Sequence, residues 1–361
     1  MSWFLAFVGF ALLIILHELG HFTAAKAVGM RVERFSLFFP PTIARKKIGE
    51  TEYAIGAIPA GGYVKISGMN PAEDLPDEVR TRAYYSQPVW KRVVVIAAGP
   101  FVNLVLAFVL LFLFLWVIGP QNLGVAEIQK GFPAQRVLET GDRIIAVDGK
   151  RSRVDVLARQ IRSHRCPGRP VDGCRAATPA TLLIERDGRR LTVRATPVYD
   201  DDVKGQKPGT RLGFTWGDAG PHHPLPFGEA LSQGVDRYWF ITKATLELPA
   251  RLIDPEQRKE ISGVVGSYEV TRQTILDDVG EVIGILAIVS LSLAIVNLFP
   301  FLPLDGGHIF WAIVEKVRGK PVPFSVMERA GVVGFMLVIF IFLIGLTNDI
   351  DRLSGEGFGN R

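Results

Sequence analysis

Three polar residues interrupt an otherwise apolar run near the start of the chain. In FALLIILHELGHFTAAKAVG, residues 10–29, His17 and His21 stand four apart and Glu18 follows the first of them. On a helix that spacing puts the two imidazoles on one face, one turn apart, with the carboxylate close by. Two imidazoles so placed can bind zinc, and the adjacent glutamate can take a proton from water held there. H-E-x-x-H is the pattern of metal-assisted peptide hydrolysis. The apolar setting strengthens this reading. An ionisable group at the centre of a membrane helix costs about 2.5–3.5 kcal/mol, so three within five residues require a compensating partner. A metal ion would be one.

A catalytic zinc takes three protein ligands and leaves a position for water. His164, His222 and His223 lie in a long stretch of ordinary mixed composition, remote from the apolar runs. The segment NLFPFLPLDGGHIF, 297–310, instead carries Asp305 and His308 at the end of another apolar run. Asp305 is the stronger candidate, because a carboxylate offsets the charge of the ion in a low-dielectric site. His308 stays open as a weaker candidate ligand, better suited to a supporting position.

These groups need elements to hold them. Of the 361 residues 48% are hydrophobic, too many for an ordinary soluble enzyme. The apolar residues concentrate at 3–28, 93–118, 282–304 and 326–346, each long enough to cross a bilayer as a helix. The expected fold is a polytopic α-helical membrane protein with four transmembrane helices and a soluble insert between the second and third. The first run lacks a basic leading region and a small-residue cleavage site, so it reads as a retained span. A net charge of +5 reports topology here, and nucleic acid is not an expected partner. Basic residues crowd the loop 29–92 (Arg45, Lys46, Lys47, Lys91 and Arg92 among them) and the loop after the third span (Lys316, Arg318, Lys320). Those loops should be cytoplasmic, with the insert and both termini outside. His17 then lies about 21 Å along a helix that starts outside. That depth matches Asp305 at the cytoplasmic end of the third span.

Residues 49–69 mix β-branched and aromatic residues around Pro-Ala-Gly-Gly, a strand–turn–strand signal. Residues 120–200 read as a small, mostly-β domain, with a hairpin around Asp187-Gly188. Cys166 and Cys174 flank a Pro/Gly-rich loop in this domain, and on an oxidising side they are expected to form a disulfide rather than remain two thiols. In 227–252 the apolar positions Phe227, Leu231, Val235, Tyr238, Trp239, Thr242 and Leu246 mark an amphipathic helix. It would lie either on the outer membrane surface or against the β domain.

HELGH in a first span, NLFPFLPLDGGH in a third and the insert segment GFPAQRVLETGDRIIAVDG together resemble the bacterial site-2 protease family. These are zinc intramembrane proteases, and the single insert is similar to that of actinobacterial members with one PDZ domain. The resemblance spans nearly the whole chain. It implies a first membrane half at 1–118, a PDZ-like domain at 119–201, a linker and amphipathic helix at 202–280, and a second membrane half at 281–361. It implies one zinc per chain held by His17, His21 and Asp305, with Glu18 as general base. AGPFVN of the second span, with Gly99, Pro100 and Asn103, would belong to the membrane core. Asn297 and Pro300 would line the substrate site, and 52–66 would be a membrane-associated β-hairpin beside the zinc. The implied partners are the lipid bilayer and single-pass membrane proteins such as trimmed anti-sigma factors, and the implied place is the bacterial cell membrane.

Chemistry adds roles to these positions. A peptide bond in a membrane helix must unwind before attack, and an edge strand at 52–58, with Ala54, Ile55 and Gly56, could hold it extended. Gly61 and Gly62 would permit a tight turn. Asn297 could bond the freed main chain, whereas Asn103 better suits an interhelical hydrogen bond. Three features depart from the family pattern: Pro300 and Pro303 are three apart rather than two, GFPAQRVLETGDRIIAVDG is one residue shorter than the usual segment and lacks its middle glycine, and SGVVGS, 262–267, lacks a proline before its last valine-glycine. A rival reading is a membrane-tethered PDZ adaptor with a non-catalytic metal, which gives Glu18 no work. A metal transporter would want polar residues along a path, not one compact cluster.

Overall fold

The computed structural model describes residues 2–70, 73–120, 123–151, 154–201, 208–218, 222–254 and 280–354, with isolated positions at 258, 263, 266 and 268. Most of SGVVGS lies outside the described residues. In chain order the main elements are α1 (Ser2–Ala27), β1 (Val32–Ile48), β2 (Thr51–Ile66), α2 (Val89–Leu113), β3 (Leu123–Ile128), β4 (Arg143–Val147), α3 (Val154–Arg162), β5 (Ala180–Arg186), β6 (Arg189–Ala195), β7 (Val198–Asp200), β8 (Gly209–Arg211), β9 (Phe214–Asp218), α4 (Phe227–Leu246), α5 (Glu281–Asn297), α6 (Asp305–Arg318) and α7 (Phe324–Ser354). They form two compact units, Met1–Trp116 with Pro226–Arg361, and Val117–Leu225.

The first unit is built on helices. Phe7–Ala27, Val89–Ile118 and Ser325–Asp351 are long and apolar enough to cross a membrane. The third apolar run differs from expectation. Its helix α5 stops at Asn297 after 17 residues, about 26 Å and short of the usual span. Pro300 and Pro303 follow, and a proline bars helix at the residue before it. Part of the expected basic loop after this run, with Lys316 and Arg318, is the helix α6, and Lys320 follows its cap. Asp305 lies in its first turn, Lys316 and Arg318 in its last, and left-handed Gly319 caps it. These are the usual helix boundary signals.

Helix α4 packs on α2 and α5. Tyr238 and Ile241 pack on the cluster of Ala107, Leu291 and Ile295, and Tyr238 Oη donates to the Leu104 carbonyl at 3.3 Å. Ala230, Gly234 and Thr245 are buried, while Leu231, Val235 and Trp239 are exposed. The small side chains face the helices because they allow close approach, which leaves the large apolar ones outward.

The expected β-hairpin is more elaborate than two strands. The chain reverses inside β1 at Pro40-Pro41. Residues 42–48 pair antiparallel with 51–56 (Ile48↔Thr51, Thr42↔Gly56). Residues 34–37 pair on one side with 62–65, where numbers run oppositely, and on the other with 52–55, where Arg34↔Glu52 and Leu37↔Ile55 rise together. The order is therefore 42–48, 51–56, 32–39, 58–66. Segment 51–56 is interior, not the edge expected at 52–58, and the edges are 42–48 and 58–66.

The second unit holds the meander β4-β5-β6 and the pairs β3-β9 and β7-β8. Its core is Val125, Leu138, Ile144, Val147, Leu157, Leu182 and Ile184 among others. Asp187 and Gly188 both take positive φ, 50° and 73°, so they make the primed turn that suits a twisted hairpin. Cys166 and Cys174 are joined, with Cα atoms 6.2 Å apart.

Candidate active site

His17 and His21 project from successive turns of α1, both 7% exposed. Their Nε2 atoms are 3.3 Å apart. Asp305 Oδ2 reaches them from the start of α6, 3.2 Å from His17 Nε2 and 3.4 Å from His21 Nε2. The His21 Nδ1–H donates to the Val95 carbonyl of α2 at 2.9 Å, which leaves the Nε2 lone pair pointing at the other two atoms. Such outer hydrogen bonds orient a metal-binding imidazole. Asp305 Oδ2 is buried and has no hydrogen-bond partner among the described residues. Electron pairs converging in a buried space repel unless a cation lies among them. Tetrahedral zinc with bonds of about 2.0–2.1 Å sets its ligand atoms about 3.3–3.4 Å apart. The triangle of 3.2, 3.3 and 3.4 Å fits that ion.

Close backbone packing makes the triangle possible. A Cβ at Gly99 on α2 would stand 2.3 Å from His21 Nε2, so any side chain there displaces the imidazole. A Cβ at Gly306 would stand 2.2 Å from the Leu298 carbonyl oxygen, and one at Gly307 2.4 Å from the Leu302 nitrogen. The glycine pair after Asp305 lets α6 start hard against the turn that ends α5. Arg92 of α2, 8% exposed, holds α6 in place by two bonds to Glu315, 2.9 and 2.6 Å long.

Glu18 lies beside the triangle and shares the cavity wall with Val64 of the edge segment 58–66. A Cβ on Gly62 would come 3.2 Å from Glu18 Cγ, so glycine lets the edge approach the carboxylate. A cavity of about 480 Å³ opens here, lined by Glu18, Gly61, Gly62, Asn297, Pro303 and His308 together with the three convergent residues.

The structure therefore brings Asn297, Gly61 and Gly62 to the cavity. The two glycines occupy a bulged edge strand rather than a tight turn, the register shifting between Phe39↔Ile58 and Leu37↔Gly62. Ala54, Ile55 and Gly56 are elsewhere: their segment is paired on both sides, and none lines the cavity. Pro300 is exposed, and Pro303 lines the cavity in its place. His308 stays outside the ligand cluster. Asn103 is fully buried, but its amide has no partner among the described residues. The expected interhelical bond runs instead from Ser290 Oγ to the Asn103 main-chain carbonyl, 3.0 Å. Val95 escaped the sequence reading, since a backbone carbonyl carries no signal of its own, and Pro303 stood out there only by its spacing from Pro300. The roles of Gly99 and Glu315 depend equally on neighbours remote in sequence.

Two imidazoles and a carboxylate converging on one point beside a free glutamate, inside apolar helices, define a metal-dependent hydrolase of the membrane. The chain belongs to peptidase family M50, the zinc-dependent site-2 protease family, whose pattern matches residues 5–341. It is similar to Zinc metalloprotease Rip1 of Mycobacterium bovis, with 32% identity over 93% of this chain and 94% of that one. Two proteins named "Putative zinc metalloprotease", from Nostoc sp. and Brucella suis, are 29% and 30% identical to it. They cover 99% and 93% of this chain, and 98% and 92% of their own lengths.

Proposed function

We propose that this metalloprotease cleaves peptide bonds within transmembrane segments of single-pass proteins. The observation that carries this reading is the zinc-sized triangle of His17, His21 and Asp305 beside Glu18, within helices of membrane-spanning character. Bound zinc supplies positive charge that polarises the scissile carbonyl and acidifies a water. Glu18 takes the proton as water adds to the carbonyl carbon and returns it to the amide nitrogen as the C–N bond breaks. The edge 58–66 offers main-chain groups to an unwound substrate, which joins the sheet as an added strand. The Asn297 amide pairs with peptide groups released from the substrate helix.

α5 completes four membrane spans with α1, α2 and α7. Its short length suits a helix that ends at the site inside the bilayer. The basic segments 29–92 and 316–329 lie in the cytoplasm. The PDZ-like unit and both termini lie outside, which puts the active site toward the cytoplasmic side of the cell membrane. Substrates already trimmed outside, such as anti-sigma factors, fit this topology. The PDZ-like domain would exclude untrimmed ones: deleting 122–200 should then permit their cleavage, and unchanged selectivity would refute the exclusion role.

The test of the main reading is zinc content alongside cleavage of a transmembrane model peptide, for the parent and Glu18→Gln. One zinc per chain in both, with cleavage by the parent alone, is expected. Equal cleavage by both would overturn the role of Glu18.

A further inference from the structure

The cavity carries a second group able to handle a proton besides Glu18. His308 stands three residues after Asp305 on α6, on the same helix face and about 4.5 Å further along the axis. It lines the cavity with Glu18 and Asn297, yet it is not part of the three-residue cluster whose ligand atoms meet. No hydrogen bond to it is formed among the described residues. Buried imidazoles normally find a partner, as His21 does at Val95. His164 of the second unit likewise spends both ring nitrogens on neighbours, Asp148 and Thr178. An imidazole that faces a cavity without a protein partner is available to what enters it.

We propose that His308 is a further catalytic residue that donates an N–H hydrogen bond to the substrate carbonyl oxygen as that oxygen gains negative charge. The inference rests on the hydrolase reading above. Peptide hydrolysis turns a planar carbonyl into a tetrahedral centre whose oxygen takes up an electron pair when water adds. A fixed donor aimed at that oxygen acts where charge develops and needs no reorganisation. Glu18, on α1, is the group that removes and returns the proton, and an anionic carboxylate cannot serve as this donor. Asn297 sits at the end of α5, where the unwound main chain needs it, and the Tyr63 hydroxyl, which also lines the cavity, is held by Arg34 Nη1 at 3.1 Å. His308 on rigid α6 is fixed relative to Asp305 by one helical turn, so its distance from the reacting centre does not depend on loop motion.

The test uses the zinc-loaded full-length protein and two ligands of one sequence: a peptide, and its phosphinate, whose tetrahedral P–O⁻ mimics the charged oxygen. Affinities are measured for the parent, His308→Ala and His308→Gln, together with zinc content and cleavage. The parent is expected to bind the phosphinate at least 10²-fold more tightly than the peptide. His308→Ala should keep one zinc and its peptide affinity, and lose about 10²-fold in both phosphinate affinity and kcat. His308→Gln, whose amide can donate, should recover part of both losses. Unchanged phosphinate affinity in His308→Ala would overturn the proposal, as would loss of zinc or equal weakening of both ligands. A parent that binds both ligands alike would instead sink the hydrolase reading.

Discussion

The two units each bring histidine and aspartate together, and they do so to opposite ends. In the second unit, His164 Nε2 lies 2.8 Å from Asp148 Oδ2 and its Nδ1 2.8 Å from Thr178 Oγ1. Asp148 also accepts from the Thr181 N–H at 2.9 Å and from Gln160 at 3.1 Å. Donors and acceptors alternate, and the network is satisfied by protein alone. In the first unit, three buried electron-pair donors face one another, and Asp305 Oδ2 has no hydrogen bond among the described residues. One arrangement pins a turn; the other asks for a cation. The same residue types thus part into structure and chemistry by whether their polar atoms find protein partners.

The sharpest way to break this comparison is at the metal. Asp305→Ala and His17→Ala should each abolish zinc binding and cleavage, whereas His164→Ala should leave zinc at one per chain. Loss of zinc from His164→Ala would place a ligand in the wrong unit. Glu18→Gln separates binding from chemistry: cleavage should fall by about 10²–10⁴-fold with zinc retained. Metal analysis and peptide cleavage on the same samples read all four variants.

Gly99→Ala probes how tightly backbone packing sets the triangle. Its methyl must displace His21, and zinc affinity is expected to fall about 10–100-fold, as when outer-shell support is lost. Titration against a zinc-selective chelator measures it, and unchanged affinity would show that the site relaxes freely.

The second unit predicts smaller effects, on stability alone. His164→Ala leaves Asp148 and Thr178 short of a partner and should cost about 1–3 kcal/mol. Hydrogen exchange across 180–195 in the full chain would show it as faster opening. The smallest expected effect concerns pH. Burial pushes the Asp148 carboxyl up, but the Thr181 N–H, His164 and Gln160 outweigh it and hold it below the ordinary carboxylate value. A depressed value in the folded state means stability that is full above the unfolded value near 3.8 and lost as pH falls through the folded one. Protection across 180–195 should therefore decline as pH drops below about 4, and less so in Asp148→Asn. Equal acid sensitivity in the two proteins would remove Asp148 as the cause.

Some of this was legible in order of residues because the relevant geometry is local. The interval of four between His17 and His21 is set by the helix itself. Asp187-Gly188 adopts its hairpin turn because those two residues tolerate positive φ. The apolar runs identified the long helices, since lipid leaves few other uses for such composition. The α6 helix was missed although its signals were present, because a chain of basic residues after an apolar run reads equally as a loop. The edge strand was misplaced because residues 32–39 pair along both edges, and strand order is not written in any local pattern.

By itself, then, the sequence determined the helix that carries His17, Glu18 and His21 and the long apolar helices, which rest on spacing and composition along the chain, while its paired motifs carried the resemblance to the family. Only the tertiary structure decided between Asp305 and His308 as the residue that meets the two imidazoles. It also exchanged Pro300 for Pro303 and Ala54–Gly56 for the edge at 58–66, and showed why position 99 has no room for a side chain. The reason is physical. Those choices depend on which backbones approach within a methyl group of each other, and residues tens to hundreds of positions apart in the chain settle that by packing.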